Sequence, residues 1–175
     1  MRKYLPHVFI ISFVFILTLL SSSLHAQHTT TVTRIVDGDT IKVFYLGNEE
    51  SIRLIGIDTP ESRVNKKTKK DAERNNQDIK IIIEMGKKAT RYVKGLVKPG
   101  DLITIELDVQ ERDRYGRILG YVYLSNGKML NEEIVKAGYA MIMTIPPNVK
   151  YKDVFSSAYK QARERKRGLW EEKES

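Results

Sequence analysis

The chain has 175 residues, a formal net charge of +8 and no cysteine, and 41% of its residues are hydrophobic. This length and composition are typical of one globular domain, and the missing cysteines exclude disulfides and thiolate metal sites. The three histidines are His7, His25 and His28, all close to the amino terminus. The composition therefore argues against a Ser-His-Asp triad, a His-ligated zinc site and a histidine general base.

The first 26 residues have the pattern of a secretory signal peptide. Arg2 and Lys3 precede an apolar run over residues 8–20, and a serine-rich stretch then leads to Ala26. This order predicts cleavage after Ala26 and export of residues 27–175 to the periplasm or the external medium. An uncleaved anchor is the alternative, although the run is shorter than the about 20 apolar residues of a spanning helix.

The predicted exported part is basic. Subtracting the charges of Arg2 and Lys3 from +8 leaves +6, because residues 1–26 contain no acid. A basic exported domain favours an anionic partner, such as nucleic acid or an anionic surface, although many basic proteins only have a solvated basic face. We expect a monomer without stable membrane association after cleavage.

The first half of the exported part predicts a β-meander and one helix. β-Branched, partly alternating residues and turn signals predict three strands, Thr30–Ile35, Thr40–Tyr45 and Ser51–Ile57. The polar segment from Arg63 to Lys80 predicts a mobile surface loop whose tail begins a helix. It is interpreted either as a basic arm near a phosphate backbone or as a solvated charge run. Apolar periodicity then predicts a helix over Met85–Val97.

The second half completes a small barrel. Two further strands are predicted over Leu102–Leu107 and Arg117–Leu124. A short helix over Asn131–Ala137 has Asn131 as its N-cap and Gly138 just past its end. A final helix covers Val149–Arg167, with Trp170 packing behind it. Five strands and three helices predict an α+β fold built on an OB-fold, a five-stranded Greek-key barrel whose loops often bind oligonucleotides.

Acidic residues cluster where the predicted strands end. Asp37 and Asp39 lie between the first two strands, and Asp58 and Glu61 follow the third. A meander can bring both regions together, so that Asp39 and Asp58 could share one cation, with the carbonyl oxygen of Thr59 as a third ligand. Ca²⁺ accepts such oxygen ligands. Glu61 is then close enough to a metal-held water to act as general base. The alternatives are ordinary turn chemistry for Asp-Gly-Asp and a solvent-exposed loop acid for Glu61.

Two arginines complete the candidate chemistry. Arg53 lies in the third strand and Arg117 opens the fifth. Guanidinium groups bind phosphate oxygens in pairs and stabilise the charge that grows in the transition state of phosphodiester hydrolysis. Either arginine taken singly also fits a surface ion pair.

The spacing of Arg53 and Asp58 needs a break in the strand. The two residues are five positions apart, so a regular strand would direct them to opposite faces. We expect that the strand has ended by Asp58 or that a bulge at Gly56 changes the alternation.

These segments closely resemble the staphylococcal nuclease (thermonuclease) family. The matching stretches are Val36–Thr40 (VDGDT), Ile52–Ser62 (IRLIGIDTPES) and Asp113–Arg117 (DRYGR), in the same order and spacing, and residues 131–138 are also similar. The resemblance extends from about Val32 to Trp170.

The resemblance implies a specific site and reaction. It implies an OB-fold barrel with three helices, and Ca²⁺ bound by Asp39, Asp58 and the Thr59 carbonyl with Asp37 close behind. Glu61 would be the base, Arg53 and Arg117 would bind the scissile phosphate, and Tyr115 would lie beside the bound nucleotide. Family members cleave DNA and RNA to products that end in 3′-phosphate.

The chain departs from the family pattern in two segments, and two functions other than catalysis also fit this fold. Residues 141–147 contain no aromatic where the family type member has tyrosines, and the Arg63–Lys80 segment is longer. A nucleic-acid-binding module without catalysis would be expected to have lost some of the acids or arginines, which are all present. A Ca²⁺-binding structural domain would leave Arg53 and Arg117 without a role.

Overall fold

The computed structural model describes residues 27–171. The predicted signal peptide, residues 1–26, lies outside the described residues. Within 27–171, no helix combines the length and the apolar character needed to span a membrane.

Five strands form a closed barrel, as the sequence predicts. They are β1 (Gln27–Ile35), β2 (Thr40–Tyr45), β3 (Asn48–Leu54), β5 (Leu102–Glu106) and β6 (Ile118–Leu124), in the order β1-β2-β3-β6-β5. The first three make the predicted antiparallel meander, and β1 closes on β5. Only the β3–β6 pair of the barrel is parallel. A separate two-stranded sheet joins β4 (Gly56–Asp58) to β7 (Met141–Met143).

The barrel interior is filled by aliphatic side chains that alternate along the strands. Strand alternation places every second residue on the same face, which here is the closed interior. This explains why Ile41 and Val43 of β2 are fully buried while Lys42 between them is not. The same pattern buries Ile103 and Ile105 of β5.

The described residues contain four α-helices, so the prediction of three is wrong. They are α1 (Lys66–Asn75), α2 (Ile79–Leu96), α3 (Leu130–Lys136) and α4 (Lys152–Glu164), followed by a short 3₁₀ turn at Gly168–Trp170. Helix α1 lies where a mobile loop was predicted. It has too few apolar residues to show helical periodicity, yet Thr68 and Ala72 are buried. Asn65 caps it by accepting from the Thr68 amide.

The prediction that Asn131 is the N-cap of α3 is wrong. Helix α3 begins one residue earlier, after Met129, and Asn131 is fully buried. Its side chain donates to the Ile55 carbonyl at 2.9 Å and accepts from the Val122 amide at 3.0 Å. Asparagine serves caps and buried hydrogen bonds equally well, so its identity did not distinguish the two roles.

The carboxyl-terminal part matches its predictions with shifted boundaries. Gly138 follows α3 with a φ of 80°, as expected just past a helix end. Helix α4 is shorter than the predicted 149–167. The Trp170 ring packs edge-on against Tyr159 with centroids 5.4 Å apart, which confirms that it covers the tail of this helix.

Candidate active site

The Asp37–Asp39 turn and the end of the β3–β4 segment meet at one edge of the barrel. Asp39 is buried, and its Oδ2 accepts hydrogen bonds from the amide of Thr59 at 2.8 Å and from its hydroxyl at 3.1 Å. The Asp39 amide in turn donates to Asp37 Oδ1 at 3.3 Å. The neighbourhood that the meander predicts is therefore held by direct hydrogen bonds.

Gly56 brings Arg53 and Asp58 to the same side. Strand β3 ends at Leu54, and Gly56 turns the chain with a φ of 81°, a conformation that favours glycine. Arg53 then reaches Asp58 Oδ1 at 2.9 Å and Asp39 Oδ2 at 3.2 Å. Arg53 and Asp58 can therefore lie on the same side although they are five positions apart, because β3 ends before Asp58 and the chain turns at Gly56.

Arg53 is a buried cation that organises the two aspartates. One of its terminal nitrogens donates to the carbonyl oxygens of Leu54 and Ile57, both at 2.8 Å, and only the other faces the acids. Burial would raise the pKa of Asp39, but the Arg53 charge and the Thr59 amide outweigh it, so the pKa lies below its usual value. Asp39 is therefore ionised at neutral pH.

The pKa of Asp37 is shifted in the opposite direction to that of Asp39. Burial, with the nearby Asp39 charge, raises the pKa of Asp37 to about 6. Two carboxyl groups that share a partly buried edge repel each other when both are ionised. A bound cation would relieve that repulsion, which is why such a pair suits a metal site.

Glu61 and Lys67 complete the acidic edge. Lys67 Nζ lies 2.8 Å from Asp58 Oδ1, 3.1 Å from Glu61 Oε1 and 3.2 Å from the Thr59 carbonyl oxygen. The other Glu61 oxygen accepts from Asn65 Nδ2 at 2.8 Å. Sequence reasoning missed Lys67, because nothing distinguishes it from the other lysines of the same run until α1 is known to be helical.

The oxygen atoms at this edge fit a hard cation. The candidate ligands are the carboxylates of Asp39 and Asp58 and the backbone carbonyl of Thr59. The Lys67 ammonium already contacts Asp58 and the Thr59 carbonyl, together with Glu61. Among residues 27–171, no three acidic, histidine or cysteine side chains converge into a site made of side chains alone. A divalent ion here would thus combine carboxylates, the Thr59 carbonyl and water, a ligand set that Ca²⁺ accepts.

Arg117 and Arg53 line one cleft of about 160 Å³ beside this edge. Arg117 precedes β6 and is held by Asp113, whose Oδ2 accepts from its Nε at 2.7 Å. Burial of Asp113 is outweighed by this donation, and the pKa of Asp113 is lowered. The remaining wall of the cleft is largely apolar, with Met143 and Ile145 from the stretch that lacks aromatic residues. The two predicted phosphate ligands therefore face the same space.

Tyr115 stands outside that wall on the loop before β6. Its ring is exposed, and the guanidinium groups of Arg114 and Arg117 lie 4.8 Å and 5.6 Å from its centroid. A flat ring flanked by cations offers a stacking surface for a base.

Comparison with known proteins places this geometry in context. The family model described as staphylococcal nuclease homologue matches residues 51–172. A thermonuclease of Staphylococcus hyicus is 36% identical over 144 residues, which cover 82% of this chain and 76% of that protein. A thermonuclease of Staphylococcus intermedius is 34% identical over 140 residues, 80% of this chain and 74% of that protein.

This chain belongs to the staphylococcal nuclease family. A further relative, endonuclease YhcR of Bacillus subtilis, is 36% identical over 154 residues, 86% of this chain but only 12% of that protein. The closed barrel with its helices agrees with the OB-fold of the staphylococcal nuclease family. The thermonuclease and endonuclease relatives support phosphodiester hydrolysis and a nucleic-acid substrate.

The staphylococcal nuclease match and the geometry overlap at the acidic edge. The matched range contains Arg53, Asp58, Glu61 and Arg117, and begins after Asp39. The hydrogen bonds from Thr59 to Asp39 tie the preceding turn to that range.

Proposed function

We propose that this protein is a Ca²⁺-dependent nuclease that hydrolyses DNA and RNA to products with 3′-phosphate ends and acts in the periplasm or outside the cell. The observation that carries the proposal is the meeting of an oxygen-rich acidic edge with a cleft that two arginines share. A hard cation and fixed guanidinium charge both stabilise the negative charge that grows on the phosphate during phosphodiester hydrolysis.

Asp39, Asp58 and the Thr59 carbonyl would hold the Ca²⁺ ion, with Asp37 behind them. When bound, the ion supplies positive charge to the phosphate and to an attacking water. The neutral-pH ionisation of Asp39, which Arg53 and the Thr59 amide maintain, keeps this ligand ready without loss of a proton. The pKa of Asp37 is raised to about 6, so this carboxyl is still mostly ionised at neutral pH and adds negative charge behind the ligands.

Glu61 would act as general base and the two arginines as phosphate ligands. The Asn65 amide fixes one Glu61 oxygen and thereby sets the direction of the other. Arg53 and Arg117 face the cleft and would bind the oxygens of the scissile phosphate, where charge grows during attack. Formation of a 3′-phosphate end means that the bond from phosphorus to the 5′ oxygen breaks.

Tyr115 would contact the nucleotide. Its ring is exposed and has two guanidinium groups near its centroid, so it offers a base both a stacking surface and positive charge. The aliphatic wall with Met143 and Ile145 offers apolar contact without stacking. We therefore expect weak base preference.

The first test is cleavage of single-stranded DNA by the purified protein with Ca²⁺, with Mg²⁺ and with a chelator. We expect cleavage with Ca²⁺, less with Mg²⁺ because it demands tighter octahedral geometry, and none with the chelator. Product ends are identified by their need for phosphatase before extension at the 3′ end. Tight binding without cleavage under all conditions would instead identify a nucleic-acid-binding module.

Two variants test the residue roles. Glu61→Gln and Arg117→Gly should lower turnover by orders of magnitude, since each removes a group that acts in the transition state. Glu84→Gln is the matched control, because Glu84 is exposed on α2. Circular dichroism checks that all three variants remain folded. Near-full activity of both Glu61→Gln and Arg117→Gly would refute the mechanism.

Export is tested separately from catalysis. Residues 1–26 fused to a reporter enzyme should direct it out of the cytoplasm, and amino-terminal sequencing of the exported chain should begin at Gln27. Retention of the reporter in the cytoplasm would contradict this part of the proposal. Light scattering of the purified protein should give the mass of a monomer.

A further inference from the structure

Lys67 is the only lysine among the described residues that the structure shows in contact with the proposed cation ligands. Its ammonium contacts Asp58 Oδ1, Glu61 Oε1 and the Thr59 carbonyl oxygen, all between 2.8 Å and 3.2 Å. Two of these groups, Asp58 and Thr59, are the ones assigned to Ca²⁺ above. The side chain is about one-third exposed, so the ammonium reaches the acidic edge from the solvent side.

The positive charge of Lys67 is unfavourable at the amino-terminal end of α1 unless acidic groups neutralise it. Lys66 and Lys67 open the helix, and its first turn contains no acidic residue. The amino-terminal end of a helix carries partial positive charge, which repels lysine. Burial would lower the pKa of Lys67, but the hydrogen bond and the charge of Asp58 outweigh it and raise the pKa. The contact with the acidic edge therefore holds Lys67 and the start of α1 in place.

Neighbouring hydrogen bonds connect the same edge to α1. Asn65 donates to Glu61 at 2.8 Å and accepts from the Thr68 amide at 2.9 Å, so the helix cap is bonded to the proposed base. Thr68 is buried and its hydroxyl donates to the Arg63 carbonyl at 2.7 Å. A change at the acidic edge can therefore reach the first turn of α1 through two paths, the Lys67 ion pairs and the Asn65 cap.

We propose that Lys67 is an intrinsic competitor of the divalent cation, which must displace its ammonium from Asp58 and Thr59 to bind. This inference rests on the proposed cation site. An ammonium and a Ca²⁺ ion cannot both contact the same Asp58 oxygen and Thr59 carbonyl at close range, because like charges repel strongly at a few ångströms. Cation binding thus releases Lys67 and loosens the first turn of α1, and Lys67 sets the cation concentration at which the site fills.

The test is calorimetric titration of Ca²⁺ into the purified protein and its variants. Lys67→Met should bind Ca²⁺ about tenfold more tightly, since it removes a unit charge that competes at contact distance. Lys66→Met is the control, because Lys66 lies in the same helical turn and is exposed. Its effect should stay below about twofold owing to solvent screening. Lys67→Gln provides a second neutral side chain should the methionine variant fold poorly.

Amide hydrogen exchange supplies a second measurement. Addition of Ca²⁺ to the unsubstituted protein should speed exchange at Thr68 and Lys69, whose amides bond to Asn65 in the first turn. In Lys67→Met, Ca²⁺ should speed that exchange less than in the unsubstituted protein, because the ion pairs are gone and only the Asn65 cap still connects the acidic edge to the first turn. Exchange in the middle of α2 serves as the internal reference.

The outcomes separate this inference from the proposed function. If the unsubstituted protein binds Ca²⁺ and cleaves DNA but Lys67→Met and Lys67→Gln show unaltered affinity, only the competitor role is overturned. An equal gain in Lys66→Met would also overturn it, because general electrostatics would then explain the effect. If no variant binds Ca²⁺, both the competitor role and the Ca²⁺ assignment fail. Binding by Lys67→Met alone would support the competitor role most strongly.

Discussion

A single methyl group on α2 should displace the proposed catalytic base. Gly86 packs directly on the backbone of the Pro60–Glu61 segment. A Cβ atom at this position would lie 2.3 Å from the carbonyl carbon and oxygen of Glu61 and 2.6 Å from the carbonyl oxygen of Pro60. Ordinary contacts begin near 3.4 Å, so Gly86→Ala requires α2 and this segment to move apart by about 1.1 Å. Both neighbours are backbone, which cannot rotate away.

The expected magnitudes follow from two opposing terms. Overpacking costs about 1–3 kcal/mol, whereas replacing a helical glycine by alanine gains about 0.8–1 kcal/mol. The difference is a loss of about 0–2 kcal/mol in the free energy of unfolding, and we expect Gly86→Ala near the upper end, because its new neighbours are backbone atoms. A displacement of about 1 Å at the base should lower kcat/KM by about 100-fold.

Gly95 on the same helix is the matched control. A Cβ there meets nothing within 4 Å, so Gly95→Ala should raise the free energy of unfolding by about 0.5–1 kcal/mol and leave kcat/KM unchanged. Urea unfolding and DNA cleavage with Ca²⁺ measure the two quantities on both variants. If Gly86→Ala were as stable and as active as Gly95→Ala, the close approach of α2 to the Glu61 backbone would not exist.

Three further substitutions test the core, the acid stability and the nucleotide contact. Asn131→Ala removes three buried hydrogen bonds and should cost about 2–3 kcal/mol by urea unfolding, and a loss near zero would contradict them. Burial would raise the pKa of Glu106, but donation by Lys150 and two tyrosines lowers it. Ionised Glu106 therefore stabilises the folded protein at neutral pH. This stabilisation is lost as the pH falls below about 4.5, the usual pKa of glutamate, and through the lower pKa of Glu106 in the folded protein. Glu106→Gln should make acid unfolding less steep, and an identical slope would refute this. Tyr115→Ala should leave the melting temperature unchanged, since the ring is exposed, and raise KM about tenfold. An unaltered KM would remove the stacking role.

The strand pattern and the site residues were predictable because their signals are local. Alternating β-branched residues and turn signals gave the barrel strands to within a few residues of their observed ends. The acids and arginines were predicted from residue chemistry and from the resemblance, and the structure brings Asp39, Arg53 and Asp58 into direct contact. All three histidines lie within the first 28 residues, which favoured a chemistry of carboxylates, arginines and hard cations before any fold was known. The one histidine among the described residues, His28, lies in β1 and packs edge-on against Tyr45.

Helix α1 and the role of Asn131 needed the tertiary structure. The α1 sequence has almost no apolar stripe, so its stability depends on the Asn65 cap and on burial of two small side chains against the rest of the protein. Asn131 looked like a cap because a polar residue before an apolar run usually is one. Its burial follows only from the packing of α3 on the barrel, where the Asn131 side chain bonds to the Ile55 carbonyl, 76 positions earlier in the chain.

The sequence by itself determined the fold class, the family and the chemical character of the site, because these depend on residue types and their spacing. Tertiary structure alone decided that Gly56 turns Asp58 toward Arg53, that Gly86 sets the position of Glu61, and that Lys67 lies on the proposed cation ligands. Each of these is an arrangement between segments that are separate in the chain or that depart from regular alternation. Such distances depend on how the helices and strands pack, and no local pattern of residues encodes them.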